Sequence, residues 1–408
     1  MKIFRKEMKK TNLESKLKRI CMITMSSYPE DTRILRQAVA LESAGYEVDI
    51  LCGSHQIQSR FEKFGNVSAY RIMNIPHKEH PVAYVLQSLL FIVVAFFRLQ
   101  LLAVKRKYLI LQTHNLPDYL IFSSIIQKLF GAKLILDIHD PSVELYRAKW
   151  PGQKDNAAIK AVKFVEKLSC NLADQLITVT NECKNRLVSR KNCDEKISII
   201  MNTADERIFK FNNERKFRKI SENVKILYHG TVAERFGLHN AIKAIEYILK
   251  EIPGSVFNIY GKYESSYRNK IEKLISNLKL ENNVILHNRI SIETVPELTN
   301  NHDIGIVPYL STDFMNLALP TKAFEYIATG IPVVSTRLIE ISNIFDEKCI
   351  TYFDNSNPEK IAEAVKKLCL NPEEAKQQVN LAYKQLKGIS GKVMMDRYVS
   401  LINELTVA

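Results

Sequence analysis

No Cys-x-x-Cys pair occurs in the 408 residues, although seven cysteines (21, 52, 170, 183, 193, 349 and 369) are scattered through them. That scatter argues against a zinc site or a disulfide framework and for reduced thiols in a cytosolic setting. Internal repeats and disorder-prone tracts are also missing, which excludes fibrous and solenoid classes. Acidic residues are in deficit: 44 Asp and Glu stand against 58 Lys and Arg, a formal net charge of +14. Such a balance implies an anionic partner, whether nucleic acid, anionic lipid or a phosphorylated substrate. No helix-turn-helix, zinc or RNA-recognition signature accompanies the charge, so nucleic acid is not expected.

What is present is an ordinary globular composition, 46% hydrophobic and 25% charged, in a chain too long for one core. Two domains are the expectation. The first nineteen residues carry eight Lys or Arg against two Glu, and residues 1–18 are read as a basic tail. The tail is either a solvated terminus or a contact for anionic lipid, to which each basic residue can contribute about 1 kcal/mol. "ICMITM" follows it, too short and wrongly flanked for a secretory signal, and fits a first strand.

Short apolar runs then alternate with amphipathic segments. Strands are expected at Ile20–Met25, Val48–Cys52, Tyr108–Gln112, Leu134–Asp137, Leu176–Val179 and Ile197–Ile200. A helix over Arg33–Ala44 should stop at Gly45. Residues 206–223 are charged and aperiodic, and read as a linker between a domain at 19–205 and one at 224–388. The second half repeats the alternation at Lys225–Tyr228, Val256–Tyr260, Val284–His287, Ile304–Val307, Ile331–Ser335 and Ile350–Phe353. Strand–helix alternation predicts an α/β fold of doubly wound parallel sheets. A last helix within 389–408 could return to the first domain.

"VAYVLQSLLFIVVAFF", residues 82–97, stands apart as an almost wholly apolar run. Sixteen helical residues span about 24 Å, short of a hydrocarbon core of about 30 Å. A transmembrane helix, a buried core helix and an interfacial helix all compete for it. The basic cluster Lys105, Arg106, Lys107 that follows favours the interfacial reading, a contact with the membrane surface over 82–107.

Two loops offer chemistry. In "ILYHGTVAERFGLHNAIKAI" a strand ends at His229, Gly230 allows close backbone approach, and a helix begins near Gly237–Leu238. Its N-terminal amides and Arg235 make an anion site, or else a plain junction with a solvated arginine. "LPTKAFEYIATGIPVVST", residues 319–336, sets Pro320 at a helix start with Lys322 and Glu325 on one face ahead of a buried strand. Lys322 supplies a second cation there, and Glu325 then reads as an acceptor for a ribose diol.

These two runs, with "IVPY" between them, resemble the nucleotide-binding domain of retaining glycosyltransferases of family four, which have the GT-B fold. "YPEDTRILRQAVALESAGYEVDIL", "LILDIHDPSVELY" and "ADQLITVTNECKNRL" resemble the family's first half, so the resemblance covers most of 19–370. It implies two Rossmann-like domains facing each other across a cleft. Glu325 matches the second glutamate of the family's Glu-x7-Glu motif, while the first position is Leu317. Thr231 and Phe236 stand where the common family loop has Gly-Arg and Lys, with Arg235 beside the latter.

The resemblance implies donor contacts at Gly230, Arg235, Asn288, Arg289, Leu319, Thr321, Lys322 and Glu325. It implies catalytic roles for His139, Arg235, Lys322 and Glu325. His139 could equally be a structural histidine bridging Asp137 or Asp140. His114, Asn115 and Glu144 are candidates for the acceptor side, and Asp31 and Arg33 either cap the next helix or touch acceptor. The expected reaction transfers a sugar from a UDP- or GDP-linked donor, with retention, to a saccharide acceptor. Neither a cofactor nor a metal is expected, in keeping with the lack of an Asp-x-Asp at a strand end and of a hydrolase-type carboxylate pair. The basic tail and the apolar segment point to a polyprenyl-linked acceptor at the cytoplasmic face of the cell membrane, in surface polysaccharide building. A non-catalytic subunit of the same fold, docked on a membrane partner, is the rival reading.

Overall fold

The computed structural model describes residues 18–54, 59–75, 81–149, 156–190, 194–217, 219, 223–354 and 357–407, so the tail up to residue 17 lies outside it. Contacts divide the chain into two units, one running to Met201 and resuming at Met395, the other Asn202–Met394.

The first unit is built on an eight-stranded sheet: β1 (Arg19–Ser27), β2 (Glu47–Ser54), β3 (Phe61–Phe64), β4 (Val67–Asn74), β5 (Ile110–His114), β6 (Lys133–Ile138), β7 (Gln175–Thr178) and β8 (Ile197–Ile199). Its order is β3-β4-β2-β1-β5-β6-β7-β8, with every pairing parallel except β3 against β4. The central strands are apolar because helices cover both faces. The hairpin β3–β4 escapes the alternation rule: β4 pairs with β2 without a crossover helix, and its run "VSAYRIMN" is broken by Ser68 and Arg71. Arg71 is buried and held by the Ser59 and Tyr28 carbonyls and by Glu62.

The apolar segment is a helix over Pro81–Ala103, longer than the run that announces it, and by length and composition it could cross a membrane. It does not lie free. Ser88, Phe91, Ala95 and Leu99 are fully buried, the last three in the first unit's core. The opposite face exposes Val82, Leu86, Leu89, Leu90, Val93, Phe97 and Leu101 in one unbroken stripe. Of the basic cluster, Arg106 is not available to lipid: its Nη1 donates to both Asp49 carboxylate oxygens at 2.7 and 2.9 Å, leaving Lys105 and Lys107 exposed. A buried aspartate needs a counter-charge, and Arg106 serves that need.

The second unit has six parallel strands, β9 (Lys225–Val232), β10 (Val256–Tyr263), β11 (Val284–Asn288), β12 (Ile304–Val307), β13 (Val333–Thr336) and β14 (Thr351–Phe353), in the order β11-β10-β9-β12-β13-β14. β9 runs through His229 to Val232, so Gly230 sits inside a strand rather than after one. The run 206–223 has no helix or strand among its described residues. It is nonetheless packed: Phe209 is buried in the second core and Arg215 donates to the carbonyls of His302 (2.7 Å) and Thr299 (3.0 Å). The last helix, Gly391–Val407, begins in the second unit and passes into the first, where Tyr46 donates to Asn403 at 2.6 Å.

Candidate functional site

In the second unit the strand order reverses between β9 and β12, and ligands of open α/β sheets bind beyond the carboxyl ends of strands at such a switch point. Gly230, Tyr309 and Lys322 meet there. The helix Thr321–Thr329 has Pro320 at its N-cap and ends on Gly330 in a left-handed conformation. Its second residue, Lys322, is 7% exposed. Lys322 Nζ donates to Tyr309 Oη at 2.5 Å and lies 4.6 Å from the Tyr228 ring centre, 4.6 Å from that of Tyr309 and 5.3 Å from that of Phe236. Among the described residues no carboxylate is paired with it. Burial therefore pulls its ammonium down to about 7, against the opposing charge of Glu325.

Gly230, at φ +118°, holds a backbone conformation that a side chain would strain, and a Cβ there would rest against Lys322 Cε at 3.4 Å. Glu325, on the next turn of the helix, places Oε2 3.1 Å from His229 Nε2, a contact without hydrogen-bond alignment. Arg235 lies over the Phe236 ring at 4.7 Å and forms an ion pair with Glu264 at 3.0 Å, its side chain 46% exposed. Phe236 thus has Arg235 and Lys322 both against its ring, which explains how a phenylalanine sits among cations. Gly237 starts the next helix with φ +63°, and a Cβ there would strike the Pro308 carbonyl. Leu317 is buried, Leu319 is half-buried and Thr321 exposed. Asn288, the last residue of β11, and Arg289 after it line a cavity of about 430 Å³ with Gly261, Tyr263 and Arg268.

In the first unit the reversal lies between β1 and β5. His114 ends β5, His139 follows β6, and both turn to Asp137 on β6: His114 Nδ1 is 3.3 Å and His139 Nε2 3.5 Å from Asp137 Oδ2. Gln37 Nε2 (2.8 Å) and Gln112 Nε2 (3.0 Å) donate to the same oxygen. Asn115 ties the loops together, accepting from His139 N at 2.9 Å and donating to the Asp140 carbonyl at 2.7 Å. Burial, opposed by the Asp137 charge, lowers His139 to about 4, so it is neutral at pH 7. Burial alone would raise Asp137, but His139, His114 and Gln37 hold it well below the usual carboxylate range.

These three side chains form the one cluster among the described residues whose atoms could hold a metal ion. Asp137 Oδ2 is, however, already faced by four nitrogens, and the far nitrogens His114 Nε2 and His139 Nδ1 have none of the partners that orient metal-bound histidines. Asp31 caps the helix Thr32–Ser43 by accepting from Arg33 N (3.1 Å) and grips the Arg33 guanidinium at 3.0 and 2.8 Å. Glu144 belongs to another group: it is buried against Arg190, which also holds Glu166 at 2.7 and 2.8 Å. Among the sequence-based candidates Asp137 appears only as a partner that a structural His139 could bridge, and it does lie 3.5 Å from His139 Nε2, whereas Gln37, Gln112 and the rings of Tyr228 and Tyr309 are absent from them. Only the strand-end position of Tyr309 signals any of these.

Comparison with known proteins accords with this geometry. Residues 31–207 match the family model described as Glycosyltransferase Family 4, and residues 209–385 match that described as Glycosyl transferases group 1. A Debaryomyces hansenii protein named chitobiosyldiphosphodolichol beta-mannosyltransferase is 26% identical over 363 residues, 81% of this chain and 75% of its own. Among solved structures, sucrose-phosphate synthase from Thermosynechococcus elongatus superposes with a TM-score of 0.74 at 16% identity, over 96% of this chain and 99% of that one. Anabaena HepE, solved with UDP and glucose, gives 0.69 at 12% identity, over 95% and 100%. At these identities the structures establish the fold, GT-B.

Proposed function

We propose, from the premise that this chain is a glycosyltransferase of the GT-B fold with a family 4 first half and a group 1 second half, that it transfers a sugar from a nucleoside diphosphate to a lipid-linked saccharide. The observation that carries the reading is Lys322: a buried cation at a sheet switch point, ringed by aromatics and without an anion of its own. A diphosphate supplies the missing charge. Lys322 and Arg235 would hold the leaving diphosphate, as preorganised donors aimed at developing charge do. Glu325 would accept from the ribose diol, Gly230, Leu319 and Thr321 would line the donor, and the cavity at Asn288 and Arg289 would take the base. UDP bound to HepE supports a nucleoside diphosphate donor of the uridine type, with the guanosine type as the other candidate.

His139 would face the transferred sugar, with His114, Asn115, Asp31 and Arg33 toward the acceptor. Glu144, engaged by Arg190, would support that wall. We infer retention of anomeric configuration from the family four resemblance. The name of the Debaryomyces relative specifies a beta product, so the anomeric proton coupling of the product against that of the donor is the deciding measurement. That same name supports a polyprenyl-type acceptor. The exposed apolar stripe of the helix Pro81–Ala103, with Lys105 and Lys107 at its end, would rest on the membrane surface that carries it, at the cytoplasmic face.

Calorimetric titration of the full chain with UDP and with GDP tests the reading. One nucleotide should bind, and Lys322→Met should abolish the signal. Binding of neither would favour the non-catalytic subunit, for which the buried Leu317 in place of the motif's first acid is the specific argument.

A further inference from the structure

The exposed stripe of the helix Pro81–Ala103 is not the first unit's only apolar side chain surface in water. The short helix Ile125–Leu129 leads into Leu129 and Phe130, 82% and 81% exposed, ahead of the turn at Gly131. On the helix Ala157–Leu172, Phe164 and Leu168 are exposed one turn apart, with Lys160 and Lys167 exposed on the same side. The three helices belong to the connections β4 to β5, β5 to β6 and β6 to β7, which all step the same way along the sheet. Right-handed crossovers therefore lay them on one face of it. Hydrogen bonds tie them side by side: Gln127 Nε2 donates to Gln100 Oε1 at 2.8 Å, and Lys128 Nζ donates to the Leu172 carbonyl at 2.6 Å. The short helix is the middle member, and its tip lies between the ends of the other two. A contiguous apolar patch of this kind marks a contact surface.

Charge decides what the surface meets. Residues 82–107, 125–131 and 157–172 contain eight Lys or Arg and a single acid, Glu166, which is buried and held by Arg190. Arg106 and Lys128 are engaged by Asp49 and Asp174. Lys105, Lys107, Lys160 and Lys167 are exposed, and no carboxylate stands among the outward residues of these segments. A second copy seated on this face in a two-fold contact would set these lysines against its own, with no acid to separate them. A lysine stem can instead lie along apolar surface while its ammonium reaches outward to a lipid phosphate, and apolar side chains edged by lysine fit a protein lying on an anionic bilayer.

We propose that the first unit docks on an anionic bilayer through three helices: Leu129 and Phe130 enter the acyl chains beside the stripe of Pro81–Ala103, while Phe164 and Leu168 sit at the interface with Lys160 and Lys167 on lipid phosphates. This rests on the membrane-surface reading of the stripe and adds to it two further contacts and a lipid charge. One helix lying on a surface leaves the unit free to roll about the helix axis. Three side by side stop the roll and hold the sheet face, rather than its edge, against the bilayer. The carboxyl ends of β5 and β6, where His114 and His139 stand, then open along the membrane surface.

Flotation of the full chain with vesicles of phosphatidylcholine, alone or mixed with phosphatidylglycerol, tests this. The parent should favour the mixed vesicles. Leu129→Ser with Phe130→Ser should weaken partition about tenfold or more, the loss expected when two large side chains no longer leave water. Lys160→Gln with Lys167→Gln should weaken it about tenfold on mixed vesicles and leave it unchanged on phosphatidylcholine. All four side chains are exposed, so thermal unfolding of both variants should match that of the parent. In Phe130→Trp, read against the parent's own Trp150, emission should shift to the blue on vesicles and be quenched by lipid brominated on its acyl chains. Parent-like partition of both double variants would overturn the three-helix contact and leave the stripe as the membrane contact. Failure of the parent to bind either vesicle would remove the membrane reading as a whole. A dimer in sedimentation equilibrium that Phe130→Ser dissociates would assign the face to a second copy and overturn the proposal. None of these results bears on nucleotide binding, which tests sugar transfer separately.

Discussion

Lys322 and His139 are both buried ionisable side chains at a sheet's carboxyl end, yet the protein treats them in opposite ways. His139 has a carboxylate within 3.5 Å and that carboxylate has its own donors, so the first unit's cluster is electrically complete. Lys322 has one tyrosine hydroxyl and three aromatic faces, which shelter a cation without neutralising it. The completed cluster is suited to orient uncharged hydroxyls. The incomplete one is suited to receive an anion. A buried cation left short of a counter-charge is costly, and the sequence keeps it where the bound state can correct the deficit.

The strongest test of that contrast is Lys322→Met. Turnover should fall about 10²- to 10³-fold, the loss typical of one oxyanion-stabilising donor, while thermal unfolding at pH 7 occurs no earlier than in the parent chain. A lowered Tm would mean that Lys322 is structural and the contrast false.

Stability against pH sharpens it further. His139 titrates at about 4 when folded against about 6.5 unfolded, so between those values the unfolded chain binds more protons. Stability should therefore fall by up to about 3 kcal/mol as pH drops from 6.5 to 4. For Lys322 the window lies between about 7 and the unfolded value of about 10.4, and stability should rise with pH across it. Denaturant titrations at pH 4.5, 6.5 and 9 read both slopes, and His139→Gln should flatten only the acid one.

Nucleotide binding supplies the next, smaller effect. Above pH 7 the free lysine is mostly neutral, so affinity should drop by up to about tenfold per pH unit and binding should take up a proton. Calorimetry at pH 8 in two buffers of different ionisation enthalpy reads the uptake. Equal heats would deny the linkage. Arg235→Ala should give the smallest loss, about tenfold or less, because an exposed cation already paired with Glu264 gains little from exchanging partners.

Much of this was legible in the sequence because periodicity reports local burial. The twelve strands expected from apolar runs are all present, as β1, β2, β5 to β8 and β9 to β14. β3 and β4 escaped because their partners are set by a hairpin with Gly65 at its turn, and because Arg71 interrupts the apolar run while being buried through distant carbonyls. Lys322 and Glu325 could be placed on one helix from their spacing. Their surroundings could not, since Tyr228 and Phe236 come from β9 and the loop after it while Tyr309 comes from just beyond the end of β12, and only the sheet order brings these two segments together. Arg106 shows the converse: it reads as one of three surface cations until Asp49, 57 residues earlier, is found beneath it.

The final helix sets a timetable. Gln112 is ordered by Tyr398, 286 positions later, and Gln112 helps hold Asp137 under the histidines. During synthesis the first half leaves the ribosome with its strands ready but with one support of its histidine cluster still untranslated. A chain cut before Tyr398 would carry every candidate residue of that half and lack the hydroxyl that aligns them, so an interrupted product is disarmed at the end opposite to its damage.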